Sequence, residues 1–179
     1  MGYAISWLAV RGTSESDVLA ALGLEKTEHV EKGGVPEGEW CSARLGQWTL
    51  VWSDSFEPAR FTKAVPKLKG EMVICSVEEH VMFISAAAFV DGLLSWRIIH
   101  DAQQGANHLS VEGNPPAAFA RIQAEEFARA KEADDVDYVF EIPARTAQEV
   151  VGFRHDAKST AAFENLQVIS KPKPWWKFW

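Results

Sequence analysis

Cysteine is scarce in this chain: two among 179 residues, Cys41 and Cys75, with no short motif between them. That excludes a disulfide framework and the paired C-x-x-C sites of structural zinc. Long apolar runs are missing too. The longest, around "VMFISAAAFV", is far below the roughly 20 residues that cross a bilayer. The opening "MGYAISWLAV" has no basic residue ahead of its apolar stretch and soon meets Arg11, so it does not read as a secretory signal. Basic charge is the third shortage. The chain has 18 Lys+Arg against 25 Asp+Glu, a formal −7. Residues 171–179 hold three of the lysines and no acid, so residues 1–170 carry 15 against 25, or −10. Such a field repels phosphate backbones and favours basic partners. Together these absences point to a cytoplasmic protein with reduced thiols, no membrane span and no nucleic-acid partner.

Catalytic and cofactor signatures are absent as well. The chain contains no G-x-S-x-G, no H-E-x-x-H, no EF-hand spacing and neither of the glycine-rich phosphate loops. No cofactor or metal is therefore expected. Cys75 sits between Val73 and Val77 on an apolar face and reads as a small buried hydrophobe. Cys41 has no basic neighbour to lower its pKa.

What is present is ample core material, with 47% hydrophobic residues, enough for one domain. The reading is α+β: a mixed or antiparallel sheet with helices packed on one face. Tyr3–Val10 reads as a buried strand, Val18, Leu19 and Leu22 as the face of a short helix stopped by Gly23, and Thr27–Glu31 as a second strand. Strand material follows from Trp40 to Ser53 with a turn at Gly46, then a helix carrying Phe61, Val65 and Leu68, then "EMVICSV" as a strand. That order is βαββαβ, the ferredoxin-like arrangement, over residues 1–78. The rest reads as a β-meander followed by helix–strand–helix–strand, with "DYVFEIP" as the strand between the helices. Residues 1–170 form a single α+β domain with lobes 1–78 and 79–170, and 171–179 form an aromatic, basic tail.

Asp91-Gly92 between two β-rich runs is the sharpest local signal, because both residues tolerate the positive φ of a type I′ turn. With that turn, Val90 pairs with Leu93, Ala87 with Trp96, Ser85 with Ile98 and Phe83 with His100, so large side chains oppose small ones. Counting by twos, His100 shares a face with Trp96 and Ile98, and His80 falls on the other. His100 then reads as a partly buried strand-end histidine held by a backbone carbonyl or by Asp101. His155 beside Asp156 is a third histidine next to a carboxylate.

The eight tryptophans are the compositional outlier, three of them in the last five residues of "KPKPWWKFW". Trp is the usual residue of binding hot spots, so Trp175, Trp176, Phe178 and Trp179 are candidate partner contacts, with Glu125, Asp134 and Asp135 as weaker ones. The expectation is a non-catalytic, intracellular, bacterial-type binding protein for a basic protein partner, of the immunity or inhibitor type. The alternative is an enzyme or small-ligand or metal-binding protein centred on His100, Asp101 and His108, with Trp96 lining the pocket.

Overall fold

The computed structural model describes residues 2–132 and 136–169. The strands are β1 (Ala4–Arg11), β2 (Leu24–Gly34), β3 (Trp40–Leu45), β4 (Trp48–Ser53), β5 (Glu71–Glu78), β6 (Phe83–Val90), β7 (Leu93–Asp101), β8 (Ser110–Gly113) and β9 (Ser159–Val168). The helices are α1 (Glu15–Leu22), α2 (Pro58–Ala64), α3 (Ala118–Glu132) and α4 (Glu141–Val151). One nine-stranded sheet runs β2-β9-β3-β4-β1-β5-β6-β7-β8, and every neighbouring pair is antiparallel.

Period-two alternation builds both faces. From β1, Ile5, Trp7 and Ala9 enter one core with Trp52, Cys75 and Ile98. Leu8 and Val10 enter the other with Val51 and Met72. The first core is covered by Ile122 of α3 and Ile142, Ala144 and Ala147 of α4. The second is covered by Val18, Leu19 and Leu22 of α1 and Phe61 and Ala64 of α2. Helices thus lie on both faces, which corrects the one-face expectation: a sheet buried on both sides in its middle strands needs cover on each.

Two further expectations change. Residues 27–31 belong to the long edge strand β2, which pairs with β9 rather than with the β3–β4 hairpin. "DYVFEIP" is no strand. It is a turn at 137–140 leading into α4, because the Asp137 carboxylate accepts the Phe140 backbone N–H at 3.1 Å, and Pro143 falls in the first turn, where a missing N–H costs little.

The 91–92 turn forms as expected, with φ of 49° at Asp91 and 85° at Gly92. Its register holds only for Val90–Leu93. Ser95 is then an extra residue, so Trp96 faces Ala88, Ile98 faces Ala86 and His100 faces Ile84. The bulge frees the Ser95 carbonyl, which accepts the Asn114 N–H at 3.0 Å. Gly113 makes room for it, since a Cβ there would lie 2.2 Å from that oxygen.

α3 and α4 are clasped by charge. Glu126, fully buried, accepts from Arg129 at 3.0 and 3.1 Å and pairs with Arg145. Glu125 also accepts from Arg145, at 2.7 Å. Removing one partner of a buried pair leaves the other uncompensated. Glu126→Ala is expected to lower the unfolding free energy by about 3 kcal/mol in urea titrations; a loss below about 1 kcal/mol would mean that the clasp contributes little.

Candidate functional site

The histidine group forms around the end of β7. Alternation past the Ser95 bulge points His100 into the core shared with Trp96 and Ile98, where it is fully buried beside Phe140. Its Nδ1 lies 2.7 Å from the His108 carbonyl oxygen. A carbonyl only accepts, so Nδ1 carries the hydrogen. Its Nε2 lies 2.8 Å from Asp137 Oδ2, within hydrogen-bond distance.

His108 closes the loop from the other side, its Nδ1 accepting the Asp101 backbone N–H at 3.0 Å. Asp101 itself turns away from both rings. Its carboxylate accepts from the Gln103 N–H at 3.1 Å and from Gln104 Nε2 at 2.8 Å. Those bonds, Gln104's first, hold its carboxyl below the usual range.

The structure therefore brings His100 and His108 together but gives His100 a partner that the sequence reading missed, Asp137. No local signal pointed to it: Asp137 lies 37 residues from His100, and its other bond, from the Phe140 N–H, belongs to the turn before α4. Both ring nitrogens of His100 are engaged and the ring is sealed from solvent, so it presents no lone pair or proton to a substrate. The trio acts as a latch that ties β7 and the 101–108 loop to the turn before α4.

Elsewhere the histidines stay apart. His80 is exposed and bonded to Glu78 at 2.8 Å. His155 is buried edge-on against Tyr3, its Nε2 3.9 Å from Glu79. Among the described residues no group of three or more His, Cys, Asp or Glu side chains is placed to hold a metal ion. Both thiols are buried, and burial pushes each up to about 12, which leaves them poor nucleophiles at neutral pH.

A second candidate surface lies on the opposite face. α1 and α2 cover the sheet as far as β5 and bury Phe89 at one end of β6, while the Phe83 end of β6 and the neighbouring part of β7 stay open beside α2. A cleft of about 390 Å³ runs there between α2 and β7, floored by Ile74, Ser85, Ala87 and Phe89 and edged by Ile99. It adjoins a cleft of about 610 Å³ between α1 and α2 and one of about 280 Å³ beside Glu78 and Asp101. Phe56 borders all three. It is 36% exposed and packs edge-on against Phe83 with centroids 5.8 Å apart. Nothing in the sequence reading singled out this residue.

Of the other candidates, Glu125 serves the α3–α4 clasp, and Asp134, Asp135, Trp175, Trp176, Phe178 and Trp179 lie outside the described residues. Comparison of the chain with protein-family models, curated proteins and solved structures finds no match.

If His100 and Asp137 form one latch, their substitutions couple. His100→Phe and Asp137→Ala are each expected to cost about 2 kcal/mol by leaving a buried polar group unpaired. The double variant should cost less than the sum by about 1 kcal/mol; additive losses would show that the two side chains act independently.

His155 gives a pH test. Burial, the largest effect, holds its imidazole below the ordinary histidine range, with Asp156 and Glu79 opposing and Arg154 assisting. The unfolded chain then binds a proton that the folded chain does not, so stability is full above the ordinary value of about 6.5 and falls as pH drops below it. Urea midpoints at pH 7.5 and 5.5 should diverge more for the native chain than for His155→Phe.

Proposed function

We propose that this chain is a non-catalytic binding protein that acts through protein–protein contact, with the groove at Phe56 as its working surface. One observation carries the reading: an exposed aromatic side chain stands at the junction of three clefts beside α2, on a sheet face that α1 and α2 cover only in part. Exposed aromatics set in apolar pockets are where binding energy concentrates, and contiguous exposed apolar surface marks interaction sites. The sealed His100 supports the same choice from the other side, since both its ring nitrogens are engaged within the protein and the ring is fully buried.

The partner proposed is basic. The formal charge of −7 supports this, as do Glu78 and Asp101 at the Phe83 end of the groove, the end proposed for the partner's cations because Arg60, Lys63 and Lys67 line the α1–α2 cleft. Arg97 is paired with Glu112 at 3.2 Å, which offsets the cation at the β7 edge. An inhibitor or immunity role, masking a cationic enzyme or toxin, fits this chemistry, and Trp175, Trp176, Phe178 and Trp179 remain proposed contacts. The acting unit is residues 1–170 as one domain with the 171–179 stretch attached. Its first 78 residues are proposed as a ferredoxin-like unit, on the neighbour order β5-β1-β4-β3 with α1 and α2 on one face.

Quantitative capture from source-cell lysate tests the surface. Phe56→Asp and Ile99→Asp should each weaken retention of the native chain's partner at least about tenfold, or about 1.4 kcal/mol, while leaving melting temperature and circular dichroism unchanged. Partner retention unaffected by either variant would remove the groove from the reading. Raising salt should weaken capture, because a basic partner is drawn by charge.

A further inference from the structure

The path of the chain connects the groove to the aromatic stretch. The last described backbone bond runs from the Ile169 N–H to the Gly23 carbonyl at 2.9 Å, directly after α1. Ala21 and Leu22, the residues just before Gly23, line the α1–α2 cleft. The chain therefore leaves the sheet at the mouth of that cleft.

Reach is sufficient. Ten residues, 170–179, span up to about 33 Å at roughly 3.3 Å each. From β9 to β6 the sheet crosses five inter-strand steps, or about 24 Å at about 4.8 Å each. Pro172 and Pro174 favour extended backbone over the first half of that distance.

The chemistry agrees. The α1–α2 cleft presents Pro58 and the alkyl stems and ammonium groups of Lys63 and Lys67, surfaces on which an indole packs through apolar and cation–π contact. Arg60, in the same cleft, already lies 4.5 Å above the Trp40 ring centroid, so this wall uses that contact once. Beyond Phe56 the next cleft is lined by Phe83, Ala87, Phe89 and Ile99, apolar enough for a second and third aromatic ring.

We propose that the chain's own 171–179 stretch docks across these clefts, with Trp175, Trp176, Phe178 and Trp179 as the buried side and Lys171, Lys173 and Lys177 facing solvent. This rests on the groove being the working surface: the stretch occupies it until a partner displaces it. Since Lys63 and Lys67 repel the lysines of the stretch, the docking is apolar and strengthens as salt screens that repulsion, opposite to docking on the acidic remainder of the molecule.

A synthetic peptide of residues 170–179, titrated by fluorescence anisotropy and by amide NMR, tests this without any partner. It should bind the chain truncated after Ile169, shifting amides of α2, β6 and β7, and bind the full chain at least tenfold more weakly because the site is filled. Binding should be lost in truncated Phe56→Asp and should hold or tighten from 0.05 to 0.5 M NaCl. No binding to the truncated chain, equal binding to Phe56→Asp, or affinity falling steeply with salt would each overturn it. Light scattering that shows the full chain self-associating and the truncated chain monomeric would place the stretch in a second copy and also overturn the intrachain contact. Capture experiments read the partner separately: a peptide that binds while Phe56→Asp keeps its partner fails the functional reading alone, and the reverse result fails only this docking.

Discussion

Width governs this molecule. Nine strands at about 4.8 Å apart make a sheet near 38 Å across, whereas two helices side by side cover about 20 Å. Each face has two helices, so neither face is roofed by helix alone. On the α3–α4 side the gap is filled by the turn carrying Val139 and Phe140 and by Phe153, which meets Trp7, Trp52 and Phe163 edge-on. On the other side α1 and α2 are only eight and seven residues long. They sit over the β9-to-β5 half, reach Phe89 of β6, and leave the rest of β6–β8 on that side only partly covered. The groove at Phe56 follows from that shortfall.

The same constraint explains what the sequence revealed and what it hid. The run of β-formers in β1 and the turn residues at 91–92 are local, and both read correctly. The hairpin register did not, and the reason is visible in the residues. Ala86, Ala87 and Ala88 stand consecutively in β6, so Trp96 and Ile98 meet a small partner in either register, and volume matching cannot choose between them. The choice is made from outside the hairpin, by Asn114 taking the Ser95 carbonyl and by the space at Gly113. A pattern confined to two strands contains neither fact.

The histidine group divides in the same way. That His100 sits in the core was legible in part, because a histidine counted by twos from Trp96 and Ile98 shares their face; the expectation was a partly buried ring held by a carbonyl or by Asp101, whereas it is fully buried and bonded to the His108 carbonyl. Its second partner was not legible, since Asp137 lies 37 residues away in a segment whose Val139 and Phe140 imitate a strand. Helix α3 hid a similar fact. Glu126 sits on the apolar face, one turn beyond Ile122, and is tolerable there only because Arg145 arrives from α4. Pairwise polar contacts between distant segments leave no periodic trace, which is why the elements were easier to read than the bonds that fix them.

An apolar sheet face left open in water invites misassociation, and the residues around this one limit that hazard. Arg97 and Glu112 form an ion pair on the outer strands, and Glu78 and Asp101 stand at one end. Charges at a rim hinder flat sheet-to-sheet stacking but admit a narrow segment lying along the groove between α2 and β7. On the docking proposed, a broad apolar surface would meet the rim charges first, while an extended chain with aromatic side chains would pass between them. That geometry favours a linear segment over a second folded domain as the occupant, whether the segment comes from this chain or from a partner.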